Sequence, residues 1–179
     1  MAYTDPPTFE AGDPLAADEL NVLSDDIAAI YSSVQGTTFS GVQVSRGADQ
    51  SIANASNALV SWDTESLDVG GWYTSGTKII IPAGAVPAGA STIGILCIAS
   101  AKFAANGTGY RLIRILKDGS SIGYWRVSAL SGEATDLQIV EPSVAAAAAE
   151  YQVQVYQNSG GSLNMAEARL TIIRLGVAS

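Results

Sequence analysis

At 179 residues the chain suits one domain plus an appendage and is ample to bury a core. With 47% apolar and only 15% charged residues, it is excluded from the disordered class, which is poor in the first and rich in the second. The absence of histidine and the presence of a single cysteine, Cys97, exclude Ser-His-Asp triads, imidazole acid–base catalysis, His-ligated zinc or haem, a thiolate zinc cage and an internal disulfide, while a net charge of −8 argues against a nucleic-acid partner.

The charge is unevenly placed. Residues 1–39 hold seven acids (Asp5, Glu10, Asp13, Asp18, Glu19, Asp25 and Asp26) and no Lys or Arg. The other ten acids face all nine bases in residues 40–179, so −7 of the −8 lies in the first segment. Such asymmetry marks an interaction tail or, equally, a surface helix that its acids merely solvate. The opening residues Met1–Pro7 are acidic, with neither a basic nor an apolar export region, and no run approaches the roughly 18 apolar residues of a membrane span; neither export nor membrane insertion is expected.

Within this segment a helix is predicted over about 14–35. Asp13 is placed to cap it, Pro14 suits the first helical position, and Asp18 and Glu19 complement the N-terminal dipole. Leu20, Leu23, Ile27, Ile30 and Val34 then recur at alternating steps of three and four, an a/d seam, and Gly36 supplies a stop. The seam covers little more than two heptads, short of a coiled-coil signature, and a helix this short needs something to pack on.

From residue 40 the period becomes extended. Gly41–Val44, Gln50–Trp62, Thr77–Pro82, Thr92–Ala101, Gly109–Lys117, Ile122–Leu130, Thr135–Glu141, Tyr151–Gln157 and Asn164–Leu175 read as strands. Alternation places Tyr151, Val153 and Val155 on one face, whereas the facing of Tyr110–Leu116 is open. Asp118-Gly119 predicts a hairpin, and Asn106-Gly107 and Ser159-Gly160-Gly161 mark other turns. Many short strands with regular turn signals predict a mainly β fold, a jelly-roll β-sandwich over 40–179 preceded by the short helical anchor over 1–39. The run Thr92–Ala99 does not alternate, so that strand is expected to be covered on both faces, by the core on one side and by a loop or a second subunit on the other. Cys97 inside it reads as a small buried hydrophobe. Ala145–Ala149 reads as a tight loop.

Few motifs carry chemistry. Gly119-Ser120-Ser121-Ile122-Gly123 spells a nucleophile elbow, but in a hairpin and with no histidine to activate Ser121. Gly71–Lys78 resembles a phosphate loop only until Thr77 separates Gly76 from Lys78. Asp63, Glu65 and Asp68 offer alternate-position oxygens that suit Ca²⁺, against the simpler reading of a solvated loop with Asp63 bonding a turn. Nothing marks a pair of carboxylates facing across a cleft for glycoside hydrolysis. Trp62, Trp72, Tyr73, Tyr110, Tyr124 and Trp125 offer stacking faces for sugar, and core packing competes at each. Trp72-Tyr73, flanked by Gly70-Gly71 and Ser75-Gly76, is the pair expected on an exposed loop.

Two stretches resemble known proteins. Phe9, Gly12, Pro14, Leu20 and Asn21, leading into an acidic helix, resemble the N-terminal segment of tailed-phage minor tail and fibre proteins, which usually carry tryptophan where Phe9 stands. Trp62-Asp63, Asp68, Ile79-Ile80-Ile81-Pro82, Gly109-Tyr110-Arg111, Lys117-Asp118-Gly119 and Val155-Tyr156-Gln157-Asn158-Ser159-Gly160 together resemble the jelly roll shared by complement globular heads and tumour necrosis factor, in the version found in phage fibres and decoration proteins. The resemblance implies a homotrimeric virion structural protein, assembled in the host cytoplasm. It implies attachment to tail or capsid proteins through residues 1–39, with Phe9, Pro14, Leu20 and Asn21 as contacts. It further implies a tail-tip or fibre role, with host-surface glycan reached through Trp72 and Tyr73; a capsid decoration or head-fibre role without ligand is the alternative. No cofactor, metal or enzymatic activity is expected, a polysaccharide hydrolase being the remote exception.

Overall fold

Eleven strands run from Gly41 to Val177 in the computed structural model, which describes residues 40–177 together with Asp25 and Ile27. Asp25 and Ile27 are helical, in keeping with the predicted helix. The remainder of the anchor, with Phe9, Pro14, Leu20, Asn21, Leu23, Ile30 and Val34, lies outside the described residues.

The strands are β1 (Gly41–Arg46), β2 (Gln50–Ile52), β3 (Ser56–Leu59), β4 (Thr64–Val69), β5 (Ile79–Ile80), β6 (Ile93–Phe103), β7 (Tyr110–Lys117), β8 (Ser120–Ser128), β9 (Thr135–Ala145), β10 (Glu150–Gln157) and β11 (Leu163–Val177). They form two antiparallel sheets. The first has the order β4-β1-β11-β6-β9, with β2 beside β11; the second has the order β3-β10-β7-β8, with β5 beside β10. The chain passes repeatedly between sheets, as in a jelly roll.

The core lies between the two inner faces. Val42, Val44, Ile93, Ile95, Cys97, Ala99, Leu170 and Ile172 of the first sheet meet Ile113, Ile115, Tyr151, Val153 and Val155 of the second. The open facing of β7 is thereby settled: Arg111, Ile113 and Ile115 point inward, and Leu112 and Arg114 outward. Arg111 is fully buried. Its guanidinium donates to the carbonyls of Asn106, Thr108 and Tyr110, closing the loop before β7, and lies 6.0 Å from the centre of the Phe103 ring. The charge of this buried group is thus met by three backbone carbonyls instead of water. Desolvation pulls the pKa of Arg111 below the usual arginine value.

The predicted turns fall where expected. Asp118 and Gly119 both take positive φ, 49° and 78°, in the β7–β8 hairpin. Ala146–Ala149 forms the tight connection into β10, with Ala148 at φ 65°. Two readings are corrected. The run Gln50–Trp62 is two strands in different sheets, because Ala55 turns at φ 53° and donates to the Gln157 carbonyl, 2.8 Å away. Residues 64–69, read as a carboxylate-bearing loop, form the edge strand β4, which is short, largely exposed and rich in polar side chains.

Candidate functional site

The feature that stands out is the outward face of the first sheet. Along β6 the burial alternates strictly: Ile93, Ile95, Cys97, Ala99, Ala101 and Phe103 face the core, and Gly94, Leu96, Ile98, Ser100 and Lys102 face outward. Those outward positions are only partly buried, so among the described residues the core is the one cover of this strand.

Register extends the apolar end of β6 across the sheet. One row runs Val69, Gly41, Ile173, Leu96, Pro142 and the next Leu67, Gln43, Thr171, Ile98, Val140. Val144 stands opposite Gly94, and Leu175, in the bulge of β11, leans over the same bare glycine. Leu67, Val69, Val140, Val144 and Leu175 are each between 40% and 63% exposed. Apolar side chains this exposed and this contiguous mark an association surface.

The far end of the face is polar. Ser45, Arg169, Ser100 and Gln138 form one row, and Glu167, Lys102 and Asp136 the next. With Arg46 and Gly47 they line a shallow depression of about 640 Å³. Opposite charges are interspersed here, yet the one ion pair among the described residues is Lys78–Glu150, elsewhere. An apolar field bordered by uncommitted charges of both signs is the anatomy of an interface core with its rim.

The residues singled out from the sequence take other places. Trp72 is 1% exposed, so the expectation of an exposed Trp72-Tyr73 sugar platform is corrected. Its indole N–H donates to Ser40 Oγ, and its backbone N–H and that of Tyr73 donate to the two Asp68 carboxylate oxygens. The glycines on either side fold the loop back and turn Trp72 into the core. Tyr73 is half-buried, its hydroxyl donating to the Trp62 carbonyl.

Asp63 accepts from the N–H groups of Gly47 and Ala48 and from the Thr64 hydroxyl. These backbone donors hold its pKa below the usual carboxylate value. Asp63 and Asp68 thus brace two different loops, Glu65 projects from β4, and the structure does not assemble the three into one oxygen cage; among the described residues no three potential ligands converge. Cys97 is buried, and desolvation pushes its thiol up to about 12. Ile27 is helical and 61% exposed.

No protein-family model and no curated protein matches this chain. Solved structures do. Murine APRIL, in its pH 8.0 crystal structure, superposes with a TM-score of 0.56 at 13% identity, over 77% of this chain and 100% of that one; its pH 5.0 structure gives 0.52 at 11%, over 75% and 99%. The PRD1 vertex protein P5 is a more distant likeness, with a TM-score of 0.45 at 18% identity, over 77% of this chain and 96% of that one. The APRIL superposition and the two antiparallel sheets described above give residues 40–177 a jelly-roll fold.

Proposed function

We propose that this chain is a non-enzymatic virion structural protein. Its jelly-roll heads associate as a homotrimer through the open face of the first sheet, and residues 1–39 attach the trimer to the particle. The observation that carries the reading is that face. Leu67, Val69, Leu96, Ile98, Val140, Pro142, Val144, Ile173 and Leu175 form an apolar field on the outward side of the sheet, bordered by the charges of Lys102, Asp136, Glu167 and Arg169. Burial of such a field on a second copy follows from the hydrophobic effect, and rim charges would fix the register. The threefold arrangement and the virion setting come from the resemblances of residues 8–30 and 40–175, supported by the shared fold.

Within this setting a tail-tip or fibre component contacting the host surface is favoured, because the N-terminal segment resembles tail proteins. The burial of Trp72 removes the expected glycan contact, and that observation favours the second reading, a capsid decoration or head-fibre protein. Immunogold electron microscopy of particles with antibody to residues 40–179 separates the two: label at the tail tip supports the first, label over the capsid the second. Deleting residues 1–39 is expected to leave a folded head that no longer joins particles; normal incorporation of the truncated chain would sink the anchor assignment. Release of reducing ends from surface polysaccharide would overturn the non-enzymatic reading.

A further inference from the structure

The outward face of the second sheet carries a different surface. Register places Leu112 of β7 between Arg126 of β8 and Tyr156 of β10, and Arg114 between Tyr124 and Gln154. Tyr110 stacks on Tyr156 with ring centroids 5.3 Å apart and planes 23° from parallel. Arg126 holds its guanidinium carbon 5.1 Å from the centre of the Tyr110 ring. Stacking of this kind keeps a guanidinium flat while leaving its N–H fork unspent. Arg114 buries its Nε without a partner, and neither arginine is ion-paired among the described residues. The two are diagonal neighbours on adjacent strands, about 7–8 Å apart by ladder geometry. Strands β7, β8 and β10 contain a single acid, Glu150, which Lys78 engages, and the one carboxylate that reaches this face from another strand is Glu141 of β9. In a chain of net charge −8 two arginines against one carboxylate leave this face with an excess of positive charge.

Beside it lies a depression of about 650 Å³ lined by Leu112, Arg114, Ser121, Ile122, Tyr124 and Glu141. Glu141 reaches it from β9 because Gly123 has no Cβ; any side chain there would occupy the space of the carboxylate. Tyr124 is 66% exposed and presents its ring to solvent.

We propose that this face binds an acidic polysaccharide, a chain of pyranose rings bearing carboxylates. Arg114 and Arg126 supply two fork donors for carboxylate oxygens, the Tyr124 ring offers an apolar face to the C–H side of a sugar, and Glu141 accepts from sugar hydroxyls. A nucleic acid, with a phosphate at every step, is poorly matched by two cations. The proposal deepens the host-contact reading and rests on it for its biological setting. Its residues all lie in one protomer: the arginines and Tyr124 on the second sheet, and Glu141 on β9 of the first, pointing away from the association face.

The test is calorimetric titration of the full chain with oligogalacturonate, its methyl-esterified form, polyphosphate and oligo-dT. Salt-sensitive binding of oligogalacturonate is expected, with the uncharged ester weaker by about ten- to hundredfold. Arg114→Gln and Arg126→Gln should each weaken binding by about tenfold without shifting the thermal transition, and Arg126→Lys, which cannot stack flat, should restore little. No binding of oligogalacturonate, equal binding of the ester, or equal binding of polyphosphate or oligo-dT would each overturn the proposal. Leu67→Asp, which attacks the oligomer face from β4 at the sheet edge opposite β9, should leave affinity per protomer intact, so a failed trimer and a failed glycan site are told apart.

Discussion

Val140 is the cleanest probe of the association face. It is 51% exposed, stands opposite Ile98 on β9, and lies outside the core. Val140→Ala deletes the equivalent of two methylene groups, each worth ~0.8 kcal/mol when fully buried. Half of that burial is already made within the protomer, so closing the interface around the native side chain contributes ~0.8 kcal/mol per copy. Three copies give ~2.4 kcal/mol, or roughly 60-fold in the trimer association constant. Val140→Asp is harsher. Carrying a carboxylate out of water costs several kcal/mol after relaxation, so three copies lose on the order of 10 kcal/mol and the trimer does not form at micromolar concentration. Sedimentation equilibrium should show wild type at three times 18.4 kDa and the Val140→Asp chain at one. Its far-ultraviolet circular dichroism should be unchanged, because the side chain is half in solvent in the lone protomer. A Val140→Asp protein that sediments with the wild-type trimer's mass and dissociation constant would refute the assignment of this face; a monomeric wild type would refute self-association itself.

Three further outcomes follow from the interior and the loops. The Cys97 thiol, buried and shifted up to about 12, should be silent to a thiol reagent at pH 8 and titrate as one thiol in guanidinium; fast labelling of the native protein would contradict its burial. The depressed pKa of Asp63 means that its bonds to Gly47 and Ala48 stabilise the fold above the unfolded value of about 3.9 and are lost as pH falls through the lower folded value. Wild type should therefore melt above Asp63→Asn at neutral pH, with the gap closing as pH falls below the unfolded carboxylate value, and a gap independent of pH would sink that account. Gly109 has φ 73°, and a Cβ there would run into the Asn158 carbonyl and side-chain oxygens, whereas at Gly119, φ 78°, it would meet open space. Chemical denaturation should give a loss of roughly 2 kcal/mol or more for Gly109→Ala and about 1 kcal/mol for Gly119→Ala; equal losses would show that backbone conformation alone decides.

Much of the fold was legible because its signals are local. Strands β6, β7, β9, β10 and β11 are long enough for their β-branched content and turn residues to identify them, and Asp118-Gly119 specifies its hairpin without help from the rest of the chain. The failures are equally physical. β4 is an edge strand, and an edge is kept polar, so Thr64–Val69 looks like a loop in sequence. The Gln50–Trp62 run is divided by a turn at Ala55 that has no Gly or Pro to announce it, and whose bond to Gln157 spans the sequence. Trp72 misled for a related reason: glycines on both sides suggested a protruding loop, but the same flexibility lets the chain double back, and the Asp68 carboxylate fixes the reversal.

The association face was visible in the sequence only as an anomaly. Thr92–Ala99 is apolar at successive positions, which a half-exposed strand has no reason to be unless both sides are eventually covered. That identified a strand but not a surface, because the partners of Leu96 and Ile98 come from residues 67–69, 140–144 and 173–175, and only strand order joins them. The outward face of the second sheet left only Tyr110 and Tyr124 among the aromatics offered as sugar-stacking faces. Arg114 and Arg126 are individually unremarkable in sequence, and β10 adds Gln154 and Tyr156 from a distant part of the chain. The two faces divide the sandwich by chemistry: an apolar side whose burial by copies of itself would fix the assembly, and a cationic, aromatic side that such an assembly would leave turned outward. On this division a change on one face should not alter the function of the other, which is why affinity per protomer and oligomeric mass, measured on the same variants, are the pair of quantities that decide between a spike that binds and a shell protein that only packs.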